Sequence, residues 1–182
     1  LEEFKDLFSS GEEYLDENVK KFINDEPFLL VTSHRRENIL NKLSLKNIVD
    51  LINSSDKKVV FPMGYATQRQ IKEFGLNLND NVLVIDPIGY LEFIYLLKKS
   101  QYCISDSGTV IEEACILNIP SIQMRYSTER PEVYEVGSSV KFDPTLEEQK
   151  FQDIHLMVDS LNNNKWSHPF GDGTSSKVIV ED

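Results

Sequence analysis

Short runs of strand-forming residues alternate with amphipathic stretches along most of the chain, and this alternation confines it to one fold class. The strand-like runs are Phe28 to Thr32, Lys58 to Met63, Val82 to Ile85, Tyr102 to Ser105, Pro120 to Met124 and a short Val140 to Phe142. Between them, Leu43 to Ile52 places apolar residues at 43, 45, 48, 49, 51 and 52, the spacing of a helix with one buried face. Tyr65 to Phe74 reads as a helix stopped by Gly75, and Tyr90 to Leu97 and Thr109 to Leu117 read as two more. A long helix is expected over Thr145 to Leu161 and a further one from near Thr174. Repeated strand–helix units imply an α/β fold, a doubly wound parallel sheet of Rossmann-like type with helices on both faces. The acidic, amphipathic stretch Leu1 to Lys21, interrupted by Gly11, reads as a helix or two leading into the first strand. Residues 1–26 are therefore taken as a helical lead-in and 27–182 as the domain; a chain of 182 residues holds one ordinary core.

In such sheets ligands gather at the carboxyl ends of the strands, near the point where strand order reverses. Four turns should open there: Ser33 to Glu37, Asp86 to Tyr90, Ser105 to Thr109 and Arg125 to Glu132. The third reads Ser-Asp-Ser-Gly-Thr and runs into a helix carrying Glu112 and Glu113 about one turn in. Asp106 and Ser107 are good N-cap residues, Gly108 lets a ligand approach the backbone, and the first N–H groups of a helix suit an anion. Carboxylates beside such a site accept hydroxyl donors, which together suggest a nucleotide. A simple capped helix with favourable first-turn charges is the alternative.

The other turns are less specific. His34-Arg35-Arg36-Glu37-Asn38 sets two guanidinium groups and an imidazole at the same edge, for phosphate contact or proton movement, or as a solvated basic turn. Tyr90 and Phe93 either face a flat base or belong to the core. Arg130, in Thr128-Glu129-Arg130-Pro131-Glu132, either reaches a ligand or pairs with Glu129 or Glu132. His168 to Gly173 reads as a structural corner, and His155 as a surface residue of the long helix.

Composition excludes several classes. Net charge is −11, which argues against general nucleic-acid binding and leaves an anionic ligand dependent on local basic groups. No run approaches the ~20 apolar residues that span a bilayer. No basic leader followed by an apolar stretch is visible at the start, and the absence of an initial Met suggests a piece of a longer, cytoplasmic protein. Cys103 and Cys115 match no metal or redox spacing and are expected to be buried free thiols; no metal or cofactor is expected.

Four segments in order resemble the C-terminal domain of the non-hydrolysing UDP-N-acetylglucosamine 2-epimerases. They are Val31-Thr32-Ser33-His34-Arg35-Arg36-Glu37-Asn38, Asp106-Ser107-Gly108 through Glu112-Glu113, Thr128-Glu129-Arg130-Pro131-Glu132, and Pro169-Phe170-Gly171-Asp172-Gly173. The resemblance runs from about residue 27 to the end. It implies the C-terminal half of a two-domain, glycosyltransferase-B-like architecture, with substrate in the cleft between the halves. The activity implied is interconversion of UDP-N-acetylglucosamine and UDP-N-acetylmannosamine by elimination and re-addition of UDP, in surface-polysaccharide precursor synthesis.

By position, the resemblance puts Ser107, Gly108 and Thr109 at the pyrophosphate, Glu113 on the ribose hydroxyls and Phe93 against the uracil. Arg130 would neutralise phosphate charge and His34 would assist the leaving group. Arg35 would lie toward the domain interface, where some members bind a second, regulatory nucleotide sugar. The full-length protein is implied to be a homodimer. Family residues that move the C2 proton belong to an N-terminal domain outside this sequence, so the chain alone is expected to bind UDP weakly and not to epimerise. Thr109 replaces the usual second glycine of Asp-Ser-Gly-Gly, as in relatives acting on UDP-linked deoxy-amino sugars of the N-acetylfucosamine pathway. Two rivals are a nucleotide-sugar glycosyltransferase domain and a stand-alone nucleotide-sensing module.

Overall fold

The computed structural model describes residues 11–174. Within them lie six strands: β1 (Phe28–Thr32), β2 (Lys58–Pro62), β3 (Val82–Ile85), β4 (Tyr102–Ser105), β5 (Ser121–Met124) and β6 (Ser139–Phe142). All pair in parallel in the order β3-β2-β1-β4-β5-β6. The expected Rossmann-like doubly wound sheet is what forms. Its order reverses between β1 and β4, which pair with Thr32 opposite Ser105. The turns after those two strands therefore share the switch point.

Helices among the described residues are α1 (Gly11–Tyr14), α2 (Glu17–Ile23), α3 (Arg36–Ile39), α4 (Lys42–Asn53), α5 (Tyr65–Glu73), α6 (Tyr90–Lys99), α7 (Gly108–Ile116), α8 (Glu132–Glu135) and α9 (Phe151–Leu161). Strand period two sorts the core into two layers. Phe28 and Leu30 of β1 pack with Val19 of α2, Ile94 and Leu97 of α6, Ile111 and Ala114 of α7, and Val133 of α8. Leu29 and Val31 turn the other way, onto Ile48, Leu51 and Ile52 of α4 and Val158 of α9. The lead-in is thus tied to the first layer. Leu1 to Ser10 of the expected lead-in lie outside the described residues; within α1, a Cβ at Gly11 would stand 2.5 Å from the Leu91 carbonyl oxygen and 2.7 Å from the Tyr95 Cβ. Only glycine permits that approach of α1 to α6.

Helix ends follow local chemistry. Asn41 caps α4 by accepting from the Ser44 N–H, and Gly75, with φ of +67°, adopts the left-handed conformation expected of a C-terminal stop. Two expectations are corrected. The long helix begins at Phe151, because residues 143–150 are held as a loop: the Asp143 carboxylate accepts from the Thr145 N–H and hydroxyl, and the Asn47 amide donates to the Pro144 and Leu146 carbonyls. His155 is buried, with Nε2 2.9 Å from the Leu51 carbonyl oxygen and Nδ1 2.7 Å from the Tyr102 hydroxyl. A carbonyl only accepts, so Nε2 carries the hydrogen and Tyr102 donates to Nδ1. Cys103 and Cys115 are buried free thiols, and burial pushes Cys103 up to about 12. A helix beyond Thr174 falls outside the described residues. Among those residues no helix is long and apolar enough to cross a membrane.

Candidate functional site

Asp106 sits at the centre of the switch point with no exposed surface. Its carboxylate accepts from the Ser33 hydroxyl (3.0 Å), the His34 N–H (3.1 Å), the Arg35 N–H (3.0 Å) and the Asn38 amide (3.2 Å). The Arg35 Nε–H donates to the Asp106 carbonyl oxygen at 3.1 Å, and the Asn38 amide also reaches the Met124 carbonyl at the end of β5. One buried acidic group therefore binds the turn after β1 to the turn after β4. A buried carboxylate is tolerable only when several donors surround it, and here the loop backbone supplies two. The role read from the sequence for Asp106, helix capping, is corrected. Ser107 is the cap, its hydroxyl facing the Val110 N–H at 3.5 Å. Asp106 is instead the clamp that aims α7.

The clamp fixes His34 and Arg35. His34 is exposed, with Nδ1 3.4 Å from an Asp106 carboxylate oxygen. Arg35 is held through its Nε and lies 3.9 Å from Glu37. At the start of α7, the Ser107 N–H is committed to the Ser105 hydroxyl, which in turn meets Thr32. The next N–H groups, of Gly108 and Thr109, belong to the first turn and have no intrahelical acceptor. A Cβ on Gly108 would meet nothing within 4 Å. The protein's own packing does not require glycine there, and the space in front of the helix start is open to a ligand. These donors and the helix dipole suit a phosphate group.

Glu112 and Glu113 occupy the second turn of α7 rather than the first. They have different partners. The Glu112 carboxylate forms a short ion pair with the Arg130 guanidinium through Nε. The carboxylate that pairs with Arg130 is thus Glu112, and neither that of Glu129 nor that of Glu132. Its Nη1 also donates to the Glu129 carbonyl, and its N–H to the Thr128 hydroxyl. Glu113 accepts from the Tyr90 hydroxyl at 3.0 Å, across from α7 to the first residue of α6. Burial raises the Glu113 carboxyl above its ordinary range, and the Tyr90 bond opposes the rise. Phe93, one turn further along α6, is half-buried against the first core layer.

His34, Arg35, Ser107, Gly108 and Thr109 therefore form one cluster at the switch point. Glu113, with Tyr90, and Arg130, with Glu112, flank it along α7. Ser33 and Asn38 were not singled out as site residues from the sequence, and Tyr90 and Glu112 were read there only as a ring facing a base or the core and as a carboxylate beside the site. Small polar residues packed into a turn directly after a buried strand were the signal for Ser33 and Asn38. A cleft of about 400 Å³ lies elsewhere, between the α1–α2 region and β3, lined by Tyr14, Val19, Ile85, Pro87 and Glu92 among others, and none of the cluster lines it. The chemistry, not cavity size, locates the candidate site.

Residues 4–182 match the family model described as UDP-N-acetylglucosamine 2-epimerase. A curated UDP-N-acetylglucosamine 2-epimerase from Methanocaldococcus jannaschii is 40% identical over 177 residues, covering 91% of this chain and 48% of the relative. A solved structure of UDP-GlcNAc 2-epimerase from that organism superposes with a TM-score of 0.76 at 37% identity, covering 96% of this chain and 50% of the other. A second structure, of that enzyme in complex with UDP-GlcNAc and UDP, gives a TM-score of 0.73 at 37% identity. The chain spans about half the length of the relatives it matches.

Proposed function

Because the chain belongs to the UDP-N-acetylglucosamine 2-epimerase family, we propose that residues 27–182 are the UDP-binding half of a nucleotide-sugar 2-epimerase. The observation that carries this reading is the open helix start at Ser107-Gly108, aimed by the buried Asp106 at the switch point. Ser107, Gly108 and Thr109 hold the diphosphate through backbone N–H and hydroxyl groups. Glu113 accepts from the ribose hydroxyls, and Phe93 flanks the uracil. Arg130 offers the guanidinium nitrogen that Glu112 leaves free, and Arg35 faces the domain interface.

In the proposed reaction the C2 proton is removed and the C1–O bond breaks, giving a glycal and UDP. The proton then returns to the opposite face of C2 and UDP re-adds at C1. This half stabilises the charge that develops on the departing phosphate, with His34 assisting at the diphosphate. Donors already fixed in place act more strongly on the transition state than on the ground state. The groups that move the C2 proton are assigned to the half of the relatives that lies outside this alignment. The whole protein is read as a cytoplasmic homodimer serving polysaccharide precursor synthesis, with UDP-N-acetylglucosamine as substrate. A UDP-linked deoxy-amino sugar is the second reading, favoured by Thr109 where the family has glycine.

The test uses the full-length protein. Conversion of UDP-N-acetylglucosamine to its manno epimer with no acceptor present is the expected result, and His34→Ala should lower its turnover by more than tenfold while leaving the melting temperature within a few degrees, a loss typical of a group acting in the transition state. Sugar transfer that requires an acceptor would point to a glycosyltransferase instead.

A further inference from the structure

The Tyr90 hydroxyl has no role in the reading above. The residue is 57% exposed, yet its hydroxyl is spent on one oxygen of Glu113 at 3.0 Å. An exposed tyrosine gains little by reaching across to a neighbouring helix unless that carboxylate needs holding. Glu113 does need it. The side chain is half-buried in the second turn of α7, and no lysine or arginine pairs with it among the described residues. The nearby cation, Arg130, is taken by Glu112.

We infer that Tyr90 is a positioning residue for Glu113, holding one carboxylate oxygen so that the pair selects a nucleoside diphosphate carrying a ribose diol over its 2′-deoxy counterpart. This rests on the reading of Glu113 as the ribose contact. A carboxylate has about four lone-pair sites. Tyr90 occupies one on Oε1, fixes the plane of the group and leaves the rest for the two hydroxyls of a vicinal diol. A 2′-deoxyribose offers one hydroxyl and leaves part of the buried carboxylate without a donor, the situation in which hydrogen-bonding sites discriminate most strongly. Tyr90 also favours the ionised form. Protonation would turn one oxygen into a donor and spoil acceptance of the diol, and burial already pushes Glu113 in that direction.

The sign follows. Diol binding needs ionised Glu113, so affinity falls as pH drops through its titration. Removing the tyrosine hydroxyl removes the influence that opposes burial, and the fall then begins at higher pH. Tyr90→Phe keeps the ring and changes no buried packing. Titration calorimetry of the chain with UDP and with 2′-deoxy-UDP, from pH 5 to 8, supplies the test, because both nucleotides carry the same phosphates and their titration cancels in the ratio.

Tyr90→Phe should weaken UDP about tenfold, on the scale of one hydrogen bond to a charged group, and leave 2′-deoxy-UDP within about twofold. The fall in the UDP to 2′-deoxy-UDP preference should move to higher pH. Equal weakening of both nucleotides, or no weakening, would overturn the inference. Lost preference with no shift along pH would also overturn it, by placing the hydroxyl on the ribose itself. Glu113→Gln separates the two levels. If it leaves UDP affinity unchanged, the ribose contact fails and the inference with it. If it weakens UDP while Tyr90→Phe does nothing, only the role of Tyr90 is lost.

Discussion

Four donors converge on the Asp106 carboxylate, two of them backbone N–H groups of the turn after β1. Asp106→Ala would leave all four without their acceptor in a place water reaches poorly. The expected loss is about 3–5 kcal/mol in urea denaturation, the scale for breaking a buried charged network; a loss below about 1 kcal/mol would mean the turns hold each other without it. His155 makes a second residue-scale prediction. Burial lowers its titration below the ordinary 6.5, with nearby Lys57 acting in the same direction and the Leu51 carbonyl, Asp159 and Asp56 opposing. The unfolded state then binds the proton more readily. The contribution of His155 is complete above pH ~6.5 and is lost as pH falls from there toward its folded value. His155→Gln should flatten that part of the stability curve below pH ~6.5, measured by denaturation at several pH values. An unchanged slope would place the acid sensitivity in other groups.

Among the elements, α1 depends on one glycine. Gly11→Ala puts a methyl group against a backbone oxygen and a Cβ that cannot swing aside, so α1 must move off α6. A cost of about 1–3 kcal/mol is expected in thermal or chemical denaturation, and a neutral substitution would show that the contact is loose. The sheet was legible in the sequence because each strand is short, apolar and followed by a turn. Helices on both faces were expected from the repeated strand–helix units, and consecutive residues such as Leu29 and Leu30 do enter different cores. The start of the long helix was not legible. Periodicity continues through Thr145 to Lys150, while Asp143 and Asn47 divert that backbone, and Asn47 is 97 positions away from Pro144. His155 was misread for the same reason, since its partners Tyr102 and Leu51 lie on a strand and a helix far away in sequence. The short helices α3 and α8, four residues each, carry too little pattern to detect. At the candidate site, the motif residues were legible in the sequence, but their couplings were not. The pairs Tyr90 with Glu113 and Glu112 with Arg130 join separate elements and leave no mark on local spacing.

At the scale of the whole molecule, the described residues form a six-stranded parallel sheet around its switch point, and the chain spans about half the length of its relatives. On the proposed reading, such a half holds the leaving group without supplying the proton chemistry, and it should bind UDP by itself. The start of α7 allows a clean trial of that claim, because a Cβ at Gly108 would point into open space, with no atom of another element within 4 Å. Calorimetry of UDP on the chain and on Gly108→Val, with melting temperatures taken in parallel, is the direct measurement. The account predicts UDP binding by the unaltered chain, and in the variant a loss of at least tenfold, about 1.4 kcal/mol, with the melting temperature held within about 2 °C. Equal UDP affinity in both proteins would contradict it and move the diphosphate away from this helix start.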